Sequence, residues 1–354
     1  MRGTSQLSKV ANTLVLFRSQ RYSTHIVEFS DTIRMINMKK EDLRIIFLGT
    51  PEFAVESLDK LVTGGYNVVA IVTMPDKIAG RGHHLLQSDI KKYALEKGLP
   101  VLQPTNLKDP EFVEELRSYN ADLFIVIAFR MLPEVVWSMP RLGTFNLHAS
   151  LLPKYRGAAP INWAVINGDK QTGVTTFFLK HEIDTGDICQ QRTIDIDDDE
   201  NVGSVHDRLM HLGADMVLST VDSIIDGSFE TKPQPEGEFI PAPKIFKETC
   251  KIDWNISRES VRNLVRGLSP YPAAWTDICD ANDSVSTLKV FETKICDDLQ
   301  SEQVLMPGDI ICTKSRMAVM CADGLLEILE LQLSGKKRMT TQAFLLGYKP
   351  KACK

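Results

Sequence analysis

The chain has 354 residues, a formal net charge of −5 and a hydrophobic fraction of 43%. This length is sufficient for two domains, and no run of about eighteen apolar residues predicts a membrane span. The acidic net charge excludes a protein that coats nucleic acid in general, so any contact with RNA must come from local basic patches.

The seven cysteines are scattered and contain no C-x-x-C pair. A disulfide framework or a structural zinc site would need paired, closely spaced cysteines. We therefore expect a reducing compartment, free thiols and no bound metal.

Residues 1–37 are rich in arginine and serine and contain only two acids, Glu28 and Asp31. This composition allows a mitochondrial-type transit segment. We favour a start site placed too far upstream, with Met38 as the initiator, because the patterned sequence begins there. Residues 1–41 are accordingly expected to be a disordered or non-native extension, and the protein to be cytoplasmic; the alternative is the mitochondrial matrix.

Five apolar runs, at 43–48, 68–72, 123–128, 144–148 and 174–179, alternate with stretches of helical spacing. Runs that are apolar on both faces predict a buried, mostly parallel, Rossmann-like α/β sheet covered by helices. Ser204, with Asp207 three residues later, predicts the start of a helix that continues to Ile225.

A proline-rich stretch at 231–243 predicts an extended linker. Beyond it, a helical pattern at 261–268 is followed by short strand-like runs at 286–291, 309–312, 318–320 and 325–333. Such runs separated by turns predict a small, OB-like β-barrel. We expect a catalytic domain at 42–230, a linker at 231–247 and a C-terminal domain at 248–354.

Asn146 and His148 lie two residues apart at the end of a predicted strand, so their side chains should project to the same side of the sheet. At the carboxyl end of a parallel strand, an amide and an imidazole can stabilise charge on a carbonyl oxygen. Asp184, after the next strand, could orient the imidazole or accept a proton. The residue types alone leave purely structural roles open for all three.

Three segments share a pattern with a known family: the run Asn-x-His-x-Ser-Leu-Leu-Pro from Asn146, residues 155–160 (Tyr-Arg-Gly-Ala-Ala-Pro) and residues 184–186 (Asp-Thr-Gly). Together they resemble the signature of the 10-formyltetrahydrofolate-dependent formyltransferases. Segments 44–51, 74–82, 267–275 and 331–337 resemble the methionyl-tRNA branch of that family. The similarity extends in order from about Leu43 to about Lys337.

The resemblance implies transfer of a formyl group from 10-formyltetrahydrofolate to the α-amine of initiator methionyl-tRNA, without a metal. It implies that Asn146 and His148 stabilise the oxyanion and that Asp184 holds the histidine. The segment implied to contact the folate comprises Ser150, Leu151, Leu152 and Pro153. Residues 128–133 are shorter and more basic than the family's usual form, which leaves the shape of the folate pocket wall open.

Two basic segments are expected to contact tRNA. The glycine-rich loop at 76–85 corresponds to a family insertion that engages the acceptor end, and Arg81 is its expected contact residue. Lys336, Lys337 and Arg338 form a second cluster, which together with Lys314 and Arg316 could face phosphates. Without the resemblance, a solvated surface loop would be the better explanation of the first segment, and a solvated turn would explain the second equally well. We expect a monomer without membrane contact.

Other functions are less consistent with the motifs. The first strand is not followed by G-x-G-x-x-G, which argues against an NAD-dependent oxidoreductase, and no loop ends in the G-K-[ST] of a P-loop enzyme. A sugar-nucleotide formyltransferase or a 10-formyltetrahydrofolate hydrolase would keep the same three polar residues. An inactive tRNA-binding module would not need all three together.

Overall fold

The computed structural model describes residues 38–79, 84–236 and 239–352. The expectations for the N-terminal extension before Met38 and for Arg81 lie outside the described residues. The first half of the chain contains strands β1 (Ile45–Gly49), β2 (Val68–Val72), β3 (Lys77–Ala79), β4 (His84–Leu86), β5 (Val101–Leu102), β6 (Leu123–Ile127), β7 (Thr144–His148), β8 (Arg156–Gly157), β9 (Gln171–Phe178) and β10 (Ile188–Asp195). Its helices are α1 (Glu52–Thr63), α2 (Asp89–Glu96), α3 (Pro110–Ser118), α4 (Glu134–Trp137), α5 (Pro160–Ile166) and α6 (Val202–Ile225).

Seven of these strands form one sheet in the order β10-β9-β7-β6-β1-β2-β5. The five strands from β7 to β5 pair in parallel, with Ile45 opposite Leu123, so the mostly parallel α/β sheet is confirmed. The prediction was wrong for the run at 174–179, because β9 pairs antiparallel with β7 and β10. An apolar run reports burial on both faces, and burial does not determine strand direction.

Helices cover both faces of the sheet. On one face the apolar sides of α1 and α6 pack over β1 and β7; on the other α3 packs over β2 and β6. Local capping sets the helix starts: Ser88 caps α2, and Asp109 caps α3 ahead of Pro110. Helix α6 begins at Val202 rather than Ser204, because the Asn201 side chain accepts the Ser204 amide hydrogen and serves as the cap.

The second half contains β11 (Pro241–Ala242), α7 (Arg258–Leu268), β12 (Ala274–Cys279), β13 (Val285–Cys296), β14 (Ile310–Cys312), β15 (Met317–Met320), β16 (Leu325–Leu333), β17 (Met339–Thr340) and α8 (Thr341–Leu345). The order β12-β13-β16-β15-β14, with β17 also on β16, makes a curled antiparallel sheet. The expected small barrel is thus a half-barrel. It encloses its own apolar core, to which α7 contributes Val261, Val265 and Leu268.

The cysteine expectation holds in part. Five described cysteines are free: Cys189, Cys250, Cys296, Cys312 and Cys321. Cys279 is disulfide-bonded, contrary to the expectation of free thiols. Its backbone pairs with Lys351, which brings the distant C-terminal segment beside β12, and cysteine spacing in the sequence does not reveal that contact. Over the described ranges, none of the helices combines the length and apolarity needed to cross a membrane.

Candidate active site

A cavity of about 840 Å³ opens at the carboxyl edge of the sheet, beyond the ends of β6 and β7. Asn146, His148 and Asp184 all line it, so the structure brings the three predicted polar residues together. The remaining wall includes the loops at 128–132, 156–159 and 179–183, the first turn of α5 and residues 241–244. A cleft at this edge is where open α/β sheets hold their ligands.

The imidazole of His148 is fixed from one side. Its Nε2 lies 2.8 Å from the carbonyl oxygen of Tyr155, and the residue is only 7% exposed. A carbonyl oxygen can only accept, so Nε2 carries a hydrogen and donates it to Tyr155. The other ring nitrogen, Nδ1, faces Asp184, with 3.9 Å between Nδ1 and the carboxylate Oδ2.

Asp184 is positioned by backbone groups rather than by His148. Its Oδ2 accepts a hydrogen bond from the amide of Gly157 at 3.0 Å. The 3.9 Å separation from the imidazole is too long for a direct hydrogen bond. A direct hydrogen bond between Asp184 and the histidine is thus not present, and the implied role of Asp184 in holding His148 stays a prediction. One donor atom in the cavity can contact both groups.

The Asn146 amide has no hydrogen-bond partner among the described residues. Its Oδ1 is buried and unpaired, although the side chain borders the cavity. A buried polar atom without a partner is unfavourable by about 1–3 kcal/mol, so such groups in native proteins call for a functional explanation. A ligand in the cavity would supply the missing partner.

The segment predicted to contact the folate does not line this cavity. Ser150 is fully buried, and its hydroxyl donates to the Lys154 carbonyl at 2.7 Å. The Leu152 amide donates to Thr175, and the Leu152 carbonyl accepts from Gln191 at 2.9 Å. Leu151 and Pro153 are likewise absent from the cavity wall. The turn that follows His148 is therefore hydrogen-bonded to β9 and β10 and lies outside the lining of this cavity. The contact of these four residues with the folate stays a prediction.

The departure from the family pattern at 128–133 forms one wall of the cavity. The Arg130 guanidinium donates from Nη1 to the Thr105 carbonyl at 2.9 Å and from Nη2 to the Pro104 carbonyl. No described carboxylate forms an ion pair with it, and its desolvation lowers the Arg130 pKa. The Arg130 side chain thus links this wall of the cavity to residues 104–105 by hydrogen bonds.

Three residues around the cavity have left-handed backbones without being glycine: Ala128 at φ 47°, Tyr155 at φ 62° and Asp184 at φ 55°. This conformation costs roughly 1–3 kcal/mol per residue and persists where the surroundings impose it. Tyr155 is held by its hydroxyl, which donates to Asp169 at 2.9 Å. Two of these strained residues position groups of the site. Tyr155 places its carbonyl oxygen against His148, and Asp184 carries the carboxylate.

The linker contributes contacts to the site that the sequence patterns did not reveal. Gln234 donates from Nε2 to the Asp184 carbonyl at 2.7 Å and accepts from Arg156. Strand β11 pairs with β8, and the Ala242 carbonyl would lie 2.5 Å from a β-carbon at Gly157, so only glycine fits there. The linker therefore supports both Asp184 and the loop that carries Gly157. Proline content predicted its extended form but not these contacts.

Lys336, Lys337 and Arg338, the described residues expected to contact RNA, do not line this cavity. Lys336 and Lys337 are exposed and make no ion pair within the described part of the chain, whereas Arg338 pairs with Glu330 and lies over the Phe291 ring. Arg316 is bound by Glu327 and Asp298, so it does not extend the basic cluster.

The base of the glycine-rich loop is held by hydrogen bonds on its described side. Lys91 donates to Asp76 at 2.5 Å, and Gln103 donates to the other carboxylate oxygen at 2.8 Å. These hydrogen bonds, that from Lys91 first, lower the Asp76 pKa. The hairpin of β3 and β4 is therefore anchored at the first residue of the basic loop.

Comparison with protein families identifies the class. The formyl transferase model matches residues 43–221, and the model of the formyl transferase C-terminal domain matches residues 244–349. The chain belongs to the formyl transferase family, as its motifs predicted. Within the described residues, no group of three His, Cys, Asp or Glu side chains is arranged to hold a metal ion.

The names of the curated relatives are more specific than those of the family models. The methionyl-tRNA formyltransferase of Bacteroides fragilis is 58% identical over 316 residues, which cover 88% of this chain and 97% of the relative. The methionyl-tRNA formyltransferase of Flavobacterium johnsoniae is 51% identical over 308 residues, covering 87% and 96%.

Solved structures share the fold at low identity. The N-formyltransferase of Helicobacter canadensis, in complex with folinic acid and dTDP-3-aminofucose, has a TM-score of 0.60 at 17% identity, covering 84% of this chain and 100% of that one. HypX of Aquifex aeolicus in complex with tetrahydrofolic acid has a TM-score of 0.58 at 19% identity, covering 86% of this chain and 47% of that one.

Proposed function

We propose that this protein transfers the formyl group of 10-formyltetrahydrofolate to the α-amino group of methionyl-tRNA, giving N-formylmethionyl-tRNA for translation initiation. The observation that carries the proposal is the convergence of Asn146, His148 and Asp184 on one cavity, with the asparagine amide unpaired. The identity to methionyl-tRNA formyltransferases supports the choice of acceptor.

The cavity suits a folate co-substrate. Its wall carries apolar side chains suited to a flat heteroaromatic ring, such as Phe129, Leu132 and Trp137, beside a few polar groups. Because Ser150, Leu151, Leu152 and Pro153 lie behind the wall, we propose that they support the 155–159 loop. The residues that would contact the folate are then those of the 128–132 and 179–183 loops.

The chemistry assigns one role to each polar residue. The Asn146 amide can donate to the formyl oxygen and stabilise the charge that develops there. The attacking amine can donate to both His148 Nδ1 and the Asp184 carboxylate, which are 3.9 Å apart. When the new C–N bond forms, His148 accepts a proton from the amine. The bond between the formyl carbon and N10 then breaks, and the proton passes to the departing tetrahydrofolate.

Binding of tRNA is assigned to surfaces outside the cavity. Lys336 and Lys337 make no ion pair with the described residues and are suited to phosphates. Arg338 contributes less because Glu330 already neutralises it. Arg81 remains the proposed contact with the acceptor end and thus with the initiator tRNA. We also propose the domain division at 42–230, 231–247 and 248–354, a monomeric state and a cytoplasmic location.

The proposal is tested by acid-gel electrophoresis of methionyl-tRNA after incubation with the protein and 10-formyltetrahydrofolate. A mobility shift that requires both substrates is expected. Release of tetrahydrofolate without tRNA and without a shift would indicate a hydrolase. Formylation of an amino-sugar nucleotide in place of methionyl-tRNA would indicate a sugar-nucleotide formyltransferase.

A further inference from the structure

Helix α5 connects the active-site cavity with the C-terminal domain. Its first turn, Pro160, Ile161 and Asn162, lines the cavity. Its last residue, Ile166, packs against the apolar core of the half-barrel. One short helix therefore borders the reaction site at its start and the second domain at its end.

The contact between α5 and α7 leaves no space at one position. A β-carbon at Gly267 would lie 2.4 Å from Ile166 Cγ1 and 2.9 Å from the Ile166 backbone nitrogen. Separations below 3.0 Å are not tolerated by real side chains, so the two helices meet at van der Waals distance only because residue 267 is glycine. The Asn162 side chain, which lines the cavity, also donates to the Gly267 carbonyl at 2.8 Å.

The neighbouring residue Arg266 makes a second attachment. It is 7% exposed, and its Nη1 donates to the carbonyl oxygens of Asp197 at 3.1 Å and Glu200 at 3.0 Å. These carbonyls belong to the loop that leads into α6, and His206 of α6 lines the same cavity. The carbonyl of Ser269 adds a third attachment by accepting from the Gly203 amide at 3.2 Å.

From these contacts we propose that α7 of the C-terminal domain is part of the scaffold of the active site, with Gly267 and Arg266 as positioning residues for formyl transfer. Gly267 sets the distance of α5 from α7 and thereby places Asn162 at the cavity wall. Arg266 holds the loop that sets the start of α6. The second domain then acts on the chemical step as well as on tRNA binding, an inference that rests on the proposed function.

The test compares Gly267→Ala with Gly347→Ala. The second is a matched control, because a β-carbon at Gly347 meets nothing within 4 Å. We expect Gly267→Ala to lower kcat, at saturating folate and methionyl-tRNA, by roughly tenfold to a hundredfold, since a displacement of about 1 Å can cost that much. Calorimetric titration with 5-formyltetrahydrofolate, without tRNA, should show weaker binding. Gly347→Ala should match the wild type in both measurements.

A change confined to the KM for methionyl-tRNA, with kcat and folate affinity unchanged, would overturn the proposal, because α7 would then set only the placement of the second domain. If Gly267→Ala does not fold, Arg266→Met, which adds no volume at the helix contact, is judged by the same two measurements. Ile166→Ala combined with Gly267→Ala removes the crowded Cγ1 and should restore part of kcat. Should the wild type not formylate methionyl-tRNA, the proposed function fails, whereas the folate titration still decides the role of α7.

Discussion

Replacement of Asn146 by alanine separates catalysis from stability. The Asn146 side chain makes no hydrogen bond to the described protein, so its removal leaves no partner unsatisfied. Removing the buried, unpaired Oδ1 relieves an unfavourable free energy of about 1–3 kcal/mol. The small cavity that the substitution leaves offsets this gain in stability. We therefore expect an unchanged or slightly raised melting temperature. Loss of an oxyanion donor should nevertheless lower kcat on the order of 10²–10³-fold, or about 2.7–4 kcal/mol in the barrier.

The measurement is kcat from acid-gel formylation assays, with the melting temperature from calorimetry. Thr172→Val is the matched control: the Thr172 hydroxyl is also buried and unpaired, but the residue lies outside the cavity wall. It should leave kcat unchanged. A decrease in kcat of less than about tenfold for Asn146→Ala would refute the role given to the amide. So would a larger decrease that is fully explained by a smaller fraction of folded protein.

Three further outcomes are expected. Asp184→Asn keeps an oxygen that can accept from the Gly157 amide but removes the charge beside the reacting amine. We therefore expect kcat to fall while the melting temperature stays within about 2 °C of the wild-type value. A large loss of stability would contradict this. Replacing Lys336 and Lys337 together by methionine should weaken tRNA binding and reduce the salt dependence of the association constant by about two phosphate contacts. Filter binding at several salt concentrations measures this dependence. An unchanged slope of the logarithm of the association constant against the logarithm of the salt concentration would exclude both lysines from the interface. Hydrogen bonds from Arg316 lower the Asp298 pKa from 3.8, so this pair adds stability that is complete above about pH 5 and is lost as the pH falls through 3.8 and below. In urea unfolding, Arg316→Met should therefore lose less free energy of unfolding between pH 5 and pH 3 than the wild type does. Equal losses would contradict this account.

Local sequence patterns determined the fold class. Each apolar run at 43–48, 68–72, 123–128 and 144–148 became a parallel strand, because burial on both faces demands apolar residues throughout the strand. Within the proline-rich stretch, Pro241–Ala242 became the short strand β11, consistent with the restricted backbone of proline. The run at 325–333 became β16 with the same bounds. Motif resemblance, rather than periodicity, identified the family.

The sequence also supplied the three polar residues of the site, because Asn146 and His148 are neighbours on one strand. Only the tertiary structure decided how they are arranged. Asp184 is placed by a backbone amide 27 residues away and by Gln234 of the linker, 50 residues away, contacts that no local pattern encodes. The same applies to Ser150, whose segment carries the family motif yet lies beneath the cavity rather than on its wall.

The direction of β9 and the close approach of Gly267 to Ile166 were likewise settled by packing. Hydrophobic periodicity records which side of a residue is buried, but it holds no information on which distant segment covers that side. That choice depends on how the two cores fit together, and at Gly267 the fit leaves no space for a side chain. For this protein, residue types and spacing specify the class and the three polar residues of the candidate site. The distances between those residues are set by contacts between parts of the chain that are far apart in sequence.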